Sequence, residues 1–464
     1  MTHDQTSVDL LSSAYALRST SCTGLTGDVL IPGDKSISHR ALILGSLAIG
    51  TTKVSGLLKG VDVMSTLNAM RQLGVDISKE KTGDIVIKGV GLNGLMTPNA
   101  PLDLGNAGTG VRLLMGVIAG QRITATFAGD KSLSARPMRR VTDPLVEMGA
   151  QVTYLPGQDA TGLLPITIIG GAPILPLNYH SKIASAQVKS AILLAGLNAR
   201  GTTTVTEPHI SRDHTEAMLR HFGLTVTQTI LDDGRHKVSL DGEGTLYAAD
   251  IAVPRDPSSA AFAMVAALIT EGSHITLPGI SINPQRIGLI QTLNEMGGAV
   301  VLNNHRVESG EDVADIEIRS SNLHGIDVPK ERAASMIDEY PILSVAAACA
   351  LGKTSMVGVS ELRVKETDRI AAMAEGLRRC GIDVHETEDS MTVTGYHNQY
   401  KPNEISGGIT VASQHDHRIA MSFLTLGMVT KSPIIVEDVG TISTSFPGFA
   451  ALMNRAGARI ERES

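Results

Sequence analysis

The amino-acid sequence predicts an α/β protein of two lobes. Each lobe is expected to hold three copies of one β-α-β-α-β-β module, with buried helices pointing to an interlobe cleft. Three observations carry this reading: a phrase that recurs six times, a polar cluster ahead of each apolar helical stretch, and β-branched strands between them. In six places a helical pattern ends at a glycine and runs on into a strand: RQLGVDI (Gly74), VEMGAQV (Gly149), RHFGLTV (Gly223), NEMGGAV (Gly297), RRCGIDV (Gly381) and NRAGARI (Gly457). The glycines follow one another at intervals of 75, 74, 74, 84 and 76 residues. Four residues before each stand Met70, Leu145, Leu219, Leu293, Leu377 and Met453, and one residue before stand Leu73, Met148, Phe222, Met296, Cys380 and Ala456. That is one face of a helix closing at a residue able to take the left-handed C′ conformation. The period exceeds the roughly 20–50 residues of solenoid repeats, so the units are small folding modules.

The other parts of the module follow in order. A glycine and a strand precede the first helix in GTTKVSGL (from Gly50), GTTTVTEP (from Gly201), GSHITLPG (from Gly272) and GKTSMVGV (from Gly352). After each C′ glycine come short alternating strands such as Asp84–Val90 and His236–Gly242. A second, more apolar helix then begins behind a polar cluster: Gly33–Arg40, Gly105–Arg112, Ser185–Ser190, Arg255–Ser259, Asp338–Tyr340 and Gln414–Arg418. Six modules divide into a first lobe of residues 34–253 and a second of residues 1–33 with 254–464, cut near Pro254.

Composition narrows the function. The 464 residues carry 40 basic and 47 acidic side chains, a net charge of −7, with 42% apolar and 3% aromatic residues and no Trp. Such a chain lacks the basic stripe and stacking platforms of a nucleic-acid binder, so an anionic ligand must be held by local basic clusters. Three scattered cysteines (Cys22, Cys349, Cys380) suit neither a disulfide framework nor a zinc site. Apolar stretches such as Ile342–Leu351 are too short to span a membrane. The first twenty residues, with Asp4, Asp9 and a single Arg18, show no signal pattern. A cytoplasmic protein is expected.

The polar helix starts are where chemistry is expected. Asp34, Ser185 and Asp256 are common N-cap types, and capping alone would explain any one cluster. Six parallel clusters point further, because helix N-termini present unpaired N–H groups and the positive end of the dipole to anions. Lys35, Arg40, Arg112 and Arg418 sit in these clusters, with Arg136 in SARPMRR and Lys365 and Arg369 in RVKETDR. Arginine matches carboxylate or phosphate bidentately, while lysine acts as a point charge that can donate a proton. GNAGTG (Gly105–Gly110) lacks the Gly-Lys-Ser/Thr ending of a phosphate loop and the G-x-G-x-x-G spacing, so it does not indicate a nucleotide. His415 and His417 flank Asp416 at a spacing that turns the two rings apart, and no metal is expected. His214 reads as a helix-entry residue.

The phrases PGDKSISHRALILGSLAIG (from Pro32), LGNAGTGVRLL (from Leu104), RPM (from Arg136), SAQVKSAILLAGL (from Ser185), RVKETDRI (from Arg363) and DHRIAMSF (from Asp416) occur in order along nearly the whole chain. In them the sequence resembles the 5-enolpyruvylshikimate-3-phosphate synthase family. SRDHTEAML (from Ser211), RPMRRVTDPL and NPQRIGLIQTL (from Asn283) resemble its bacterial branch often called class II.

The resemblance implies the two-lobed enolpyruvyl transferase fold. It implies transfer of the enolpyruvyl group of phosphoenolpyruvate to the 5-hydroxyl of shikimate 3-phosphate, with release of phosphate and without metal or cofactor. Position by position, it implies that Lys35 contacts both substrates, Ser36 and Arg40 hold the shikimate carboxylate, and Ser185 and Ser211 hold its phosphate. Gln187 would lie between the substrates. Arg136, Lys365, Arg369, Arg418 and the Gly108 backbone would bind phosphoenolpyruvate, Asp338 would take the 5-hydroxyl proton, and Glu366 with Lys35 would protonate the methylene carbon. The expected partners are the two small substrates alone, with no nucleic acid, no membrane and a monomeric chain.

Two positions depart from the family pattern. Thr444 stands where many members have lysine, with Lys365 as the expected substitute, and Ala186 replaces the second of two serines. Gly108 is kept, so inhibition by glyphosate in competition with phosphoenolpyruvate is expected, weakened by Gly108→Ala. The sister transferase acting on UDP-N-acetylglucosamine fits less well. It usually uses a reactive loop cysteine and an opening Lys-Asn, whereas this chain has Lys35-Ser36 and no cysteine between Cys22 and Cys349. A non-catalytic anion-binding protein on the same fold is disfavoured by the joint presence of Lys35, Asp338, Glu366, Arg369 and Arg418.

Overall fold

The computed structural model describes residues 15–170, 173–395 and 405–463; Asp4 and Asp9 lie outside the described residues. Each module follows one plan, seen most simply between Leu102 and Ile169. A two-residue strand (Leu102–Asp103) leads into a buried helix (Gly108–Ala119), a strand (Thr124–Ala128), an outer helix (Arg139–Glu147) and a hairpin of Gln151–Tyr154 and Ile166–Ile169. The first two strands pair in parallel, the second and fourth antiparallel, and the fourth and third antiparallel. Six four-stranded sheets share this pattern.

The repeated glycine explains how each outer helix stops. Gly74, Gly149, Gly223, Gly297, Gly381 and Gly457 all have positive φ, between 86° and 120°. In every case the next residue donates its N–H to the carbonyl four residues before the glycine: Val75 to Met70, Ala150 to Leu145, Leu224 to Leu219, Gly298 to Leu293, Ile382 to Leu377 and Ala458 to Met453, at 2.8–3.1 Å. This 6→1 bond satisfies a carbonyl that the helix end would leave orphaned, and a side chain at the glycine would strain the turn.

The six inner helices are α1 (Lys35–Leu47), α2 (Gly108–Ala119), α3 (Ala186–Gly196), α4 (Pro257–Ile269), α5 (Tyr340–Ala348) and α6 (His417–Leu426). Their apolar sequence on all sides follows from complete burial: every residue of α5 and every residue of α1 from Ile37 on is buried. Close helix contact needs small residues. A Cβ on Gly116 of α2 would stand 2.2 Å from the Ala191 carbonyl oxygen of α3.

The chain divides into two compact units, Gly33–Pro254 with Val307–Glu311, and residues 1–32, 255–306 and 312–464. The strip Val307–Glu311 belongs with the first unit, whereas the sequence reading left it in the second lobe; its Glu311 Oε1 lies 2.8 Å from Nδ1 of the buried His214. Each unit has its own hydrophobic core. In the first, the module of α1 takes its parallel strand, Ile251–Ala252, from the end of the unit. In the second, Thr26–Asp28 pairs with His274–Ser281, and Leu17–Thr20 lies between Ile434–Glu437 and Arg459–Arg462.

Candidate active site

In the first unit the polar groups gather at the amino ends of α1–α3. Asp34 caps α1, accepting from Ile37 N–H at 2.8 Å, which sets Lys35 and Ser36 on the first turn. Lys35 Nζ lies 2.5 Å from Oδ2 of Asp62 on the outer helix Val61–Gln72. One turn on, Arg40 is almost wholly buried and its fork meets neutral groups: Nε donates to Thr215 Oγ1 (2.7 Å), Nη2 to Ser190 Oγ (3.0 Å) and Nη1 to the Ser36 carbonyl (3.0 Å). Burial pulls its pKa down to about 10, partly offset by the more distant Glu216, Asp34 and Glu311, so it stays charged at neutral pH. The neighbouring His39 is buried and bonded to Thr66 Oγ1 at 2.8 Å. Burial, then the charges of Lys35 and Arg40, lower its pKa to about 3.

At α2 the first helical residue is Gly108, where a Cβ would stand 3.1 Å from Nη1 of Arg112 and 3.3 Å from Nη1 of Arg136. Two guanidiniums therefore flank the backbone of a helix N-terminus, a geometry suited to a phosphate or carboxylate. Arg112 donates to Gln187 Oε1 (2.9 Å), Gln187 donates to Thr109 Oγ1 (3.0 Å), and Arg136 donates to Asn106 Oδ1 (3.0 Å) and Ser132 Oγ (3.2 Å).

At α3, Ser185 is the N-cap, and Ser211 lies in the loop before the outer helix His214–His221. Both are tied to Glu207, the last residue of the strand Thr202–Glu207. Ser185 N–H donates to Oε1 and Ser211 Oγ donates to Oε2, each at 2.7 Å. Lys189, fully buried, lies 3.2 Å from Glu207 Oε2 and 2.8 Å from Glu216 Oε1. Burial would lower its pKa, but the two carboxylates outweigh that and hold it above the ordinary lysine value.

The second unit brings Asp338, Glu366, Arg369, Asp416 and Arg418 together. Arg369, buried at the first turn of the outer helix Arg369–Arg379, donates through Nε to Asp416 Oδ2 (2.8 Å) and through Nη2 to Glu366 Oε2 (2.5 Å). Its Nη1 stands 3.5 Å from Asp338 Oδ1. Burial disfavours the charge, yet Asp416, Glu366 and Asp338 overcome it and the pKa is raised. Asp416 also caps α6 by accepting Arg418 N–H (2.8 Å), and Arg418 Nη1 donates to the Asp338 carbonyl (3.0 Å). Gln414 and His415 ahead of this cap both have positive φ, 52° and 59°. Strain of that kind, of order 1–3 kcal/mol per residue, persists where neighbouring contacts over-determine the turn, here with Thr367 Oγ1 donating to Gln414 Oε1 at 2.5 Å.

Some sequence expectations take a different form. Lys365 Nζ lies 2.5 Å from Glu361 Oε1, an i,i+4 pair on a short turn. Thr444 closes its own turn, donating to the Thr441 carbonyl. Sequence reasoning missed Thr215, Ser190 and Glu207, ordinary polar residues that mark nothing until folding brings them onto Arg40, Ser185 and Ser211. It also passed over Arg212, next to Ser211, whose charge bears on Arg40. A cavity of about 730 Å³ lies at the opposite, carboxyl ends of α1–α3, lined by Leu47, Gly120, Arg122, Asn198 and Leu246 among others. Among the described residues no helix is long and apolar enough to cross a membrane, and no group of three or more His, Cys, Asp or Glu could hold a metal ion.

Repeated modules that carry arginines at helix starts, with carboxylates set among them, suit a protein that handles small anionic molecules. The family model for EPSP synthase (3-phosphoshikimate 1-carboxyvinyltransferase) matches residues 20–453. The chain is 53% identical over 446 residues to 3-phosphoshikimate 1-carboxyvinyltransferase of Parvibaculum lavamentivorans, covering 96% of this chain and 97% of that one. It is 54% identical over 439 residues to the protein of that name in Methylorubrum extorquens, covering 94% and 95%. The EPSP synthase structure from Acinetobacter baumannii superposes with a TM-score of 0.87 at 45% identity, covering 97% of this chain and 100% of that one. The enolpyruvyl transferase NikO from Streptomyces tendae shares the fold at a TM-score of 0.74 and 14% identity, covering 97% and 99%. The chain belongs to the EPSP synthase family. Its reaction is enolpyruvyl transfer from phosphoenolpyruvate to shikimate 3-phosphate, in the shikimate pathway of aromatic biosynthesis.

Proposed function

We propose that this transfer is divided between two residue sets, one in each compact unit, and that each unit is one lobe of the enzyme. The first set seats anions. Gly108 N–H with Arg136 holds phosphoenolpyruvate, and Arg112 of the same cluster joins them. Arg40 and Ser36 hold the shikimate carboxylate, Ser185 and Ser211 its phosphate, and Lys35 touches both substrates with Gln187. The second set runs the proton chemistry, with Arg369, Arg418 and Lys365 steadying phosphoenolpyruvate.

Adding a proton to C3 of phosphoenolpyruvate leaves oxocarbenium-like charge at C2, which the 5-hydroxyl oxygen attacks as its proton leaves. In this reading Glu366, with Lys35, supplies the C3 proton and Asp338 accepts the hydroxyl proton. Loss of a C3 proton from the tetrahedral adduct then expels phosphate and restores the double bond. Arginines already in place hold the carboxylate and phosphate groups, and meet the negative charge of the departing phosphate, without reorganising.

The observation that carries this reading is the single guanidinium of Arg369 spanning Glu366 Oε2 at 2.5 Å and Asp338 Oδ1 at 3.5 Å. It holds the acid and the base in one network. The test is phosphate release in the presence of each substrate alone and of both, in wild type and in Glu366→Gln. Release that needs both substrates and falls at least a hundredfold in the variant is expected. Turnover in Glu366→Gln close to wild type would remove Glu366 from the acid role. We further propose a cytoplasmic monomer, in keeping with small anionic substrates; a sedimentation mass near 48.8 kDa is the check.

A further inference from the structure

Among the described residues Glu207 is the one carboxylate that joins both serines of the proposed phosphate seat. Its Oε1 accepts the Ser185 backbone N–H, and its Oε2 accepts the Ser211 hydroxyl, each at 2.7 Å. The first bond takes up a helix N-terminal N–H of the kind that otherwise faces an anion. The second turns the Ser211 proton inward, so that Oγ offers lone pairs to the outside. Ser185 is arranged the other way: its Oγ accepts from Val188 N–H at 3.5 Å, which leaves the hydroxyl proton to donate outward. Lys189 Nζ, 3.2 Å from Glu207 Oε2 and 3.3 Å from the Ser211 carbonyl, is close enough to compensate that oxygen whenever Ser211 turns away.

We propose that Glu207 is a positioning residue that sets the phosphate selectivity of the acceptor site, by fixing the spacing of Ser185 and Ser211 and by holding the Ser211 proton until a phosphate dianion draws it outward. On binding, the Ser211 O–H rotates from Oε2 to a phosphate oxygen, with no proton leaving Oγ, and the Lys189 ammonium takes over at Oε2. The proposal rests on the reading that Ser185 and Ser211 seat the phosphate. Burial supports a fixed carboxylate: Glu207 is 1% exposed and Lys189 is fully buried, so neither can swing into solvent. Lys189 is held above the ordinary lysine pKa by Glu216 and Glu207 against the pull of burial, so the ammonium remains charged through the rearrangement.

The experiment compares wild type, Glu207→Gln and Glu207→Asp, with Ser211→Ala as control. It measures kcat and KM for shikimate 3-phosphate and phosphoenolpyruvate, and the dissociation constants of shikimate 3-phosphate and of shikimate by calorimetry. Glu207→Gln should raise KM for the phosphorylated acceptor at least tenfold. Its kcat should stay within threefold, and the affinity for shikimate and KM for phosphoenolpyruvate within twofold. Glu207→Asp, which keeps the charge beside Lys189 but cannot reach both serines, should fall between, and it decides the matter on the same readout if Glu207→Gln does not fold. Parallel loss of shikimate and shikimate 3-phosphate binding, or an unchanged KM for the phosphorylated acceptor, overturns the proposal. If Ser211→Ala lowers phosphate selectivity and the Glu207 variants do not, only the role of Glu207 falls; if Ser211→Ala also leaves it unchanged, the assignment of the phosphate seat falls with it.

Discussion

Arg40 and Arg369 are both buried arginines near the start of a helix, yet their surroundings are opposite. Arg40 rests on two hydroxyls and a carbonyl, and its pKa falls. Arg369 is wrapped by Asp416, Glu366 and Asp338, and its pKa rises. A guanidinium among neutral partners keeps a net positive field for an incoming carboxylate, at the cost of its own desolvation. One among carboxylates has its charge compensated and instead holds those carboxylates in fixed positions, as the proposed proton transfer requires. One repeated module thus surrounds a guanidinium with neutral groups in the first unit and with carboxylates in the second, the contrast on which the proposed anion seat and the proposed acid–base network rest.

The largest effect expected from this contrast is on turnover. Asp338→Ala should lower kcat by about 10²–10⁴, the usual worth of a positioned base, while calorimetric affinity for shikimate 3-phosphate stays within a few fold. Near-normal turnover would break the comparison at its centre.

Stability separates the two arginines next. Arg369→Met removes the buried guanidinium shared by three carboxylates and should cost about 3–5 kcal/mol in urea unfolding. Arg40→Met takes a donor from two hydroxyls that still bond each other at 2.7 Å and should cost about 1–3 kcal/mol. Equal costs would mean that the partners' charge does not matter.

The buried histidine of the first unit predicts an acid limb. His39 has a folded pKa of about 3 against 6.5 for the free group, so between those values the unfolded state carries a proton that the native state does not. Stability therefore rises with pH through this window, is complete above pH 6.5, and is lost as pH falls toward 3, by up to about 5 kcal/mol. In His39→Gln the urea midpoint should flatten between pH 4 and 6.

Gly108→Ala should act on binding alone. Its methyl meets the ends of two long side chains, Arg112 and Arg136, closely and Leu133 Cδ1 at an ordinary 3.8 Å, so the arginines yield rather than clash. KM for phosphoenolpyruvate should rise by about tenfold, or about 1.4 kcal/mol, with the glyphosate inhibition constant rising alongside. An inhibition constant equal to wild type would reject the steric account. Smallest of all, Arg122→Ala at the carboxyl-end cavity should leave all kinetic constants within about twofold, marking surface change without function.

Much of this was legible in the residues themselves. The six C′ glycines, each with its helix-closing bond, were readable because a positive φ and an apolar i−4 partner are local requirements. The clustering of Lys35, Arg40, Arg112 and Arg418 at the amino ends of buried helices was readable because each lies within a phrase at a helix start. Glu207 was not, since its meaning depends on a strand end meeting a loop and a cap that lie 4 and 22 residues away.

By itself, then, the sequence determined the module, its sixfold recurrence and the residue types at each helix start, because periodicity, capping and turn chemistry act over a few neighbouring positions. Tertiary structure alone decided which groups surround each charge: hydroxyls around Arg40, carboxylates around Arg369, and Glu207 between two serines. Burial and partner charge are properties of the packed chain, and they set whether a guanidinium keeps an uncompensated charge or is neutralised by the carboxylates around it.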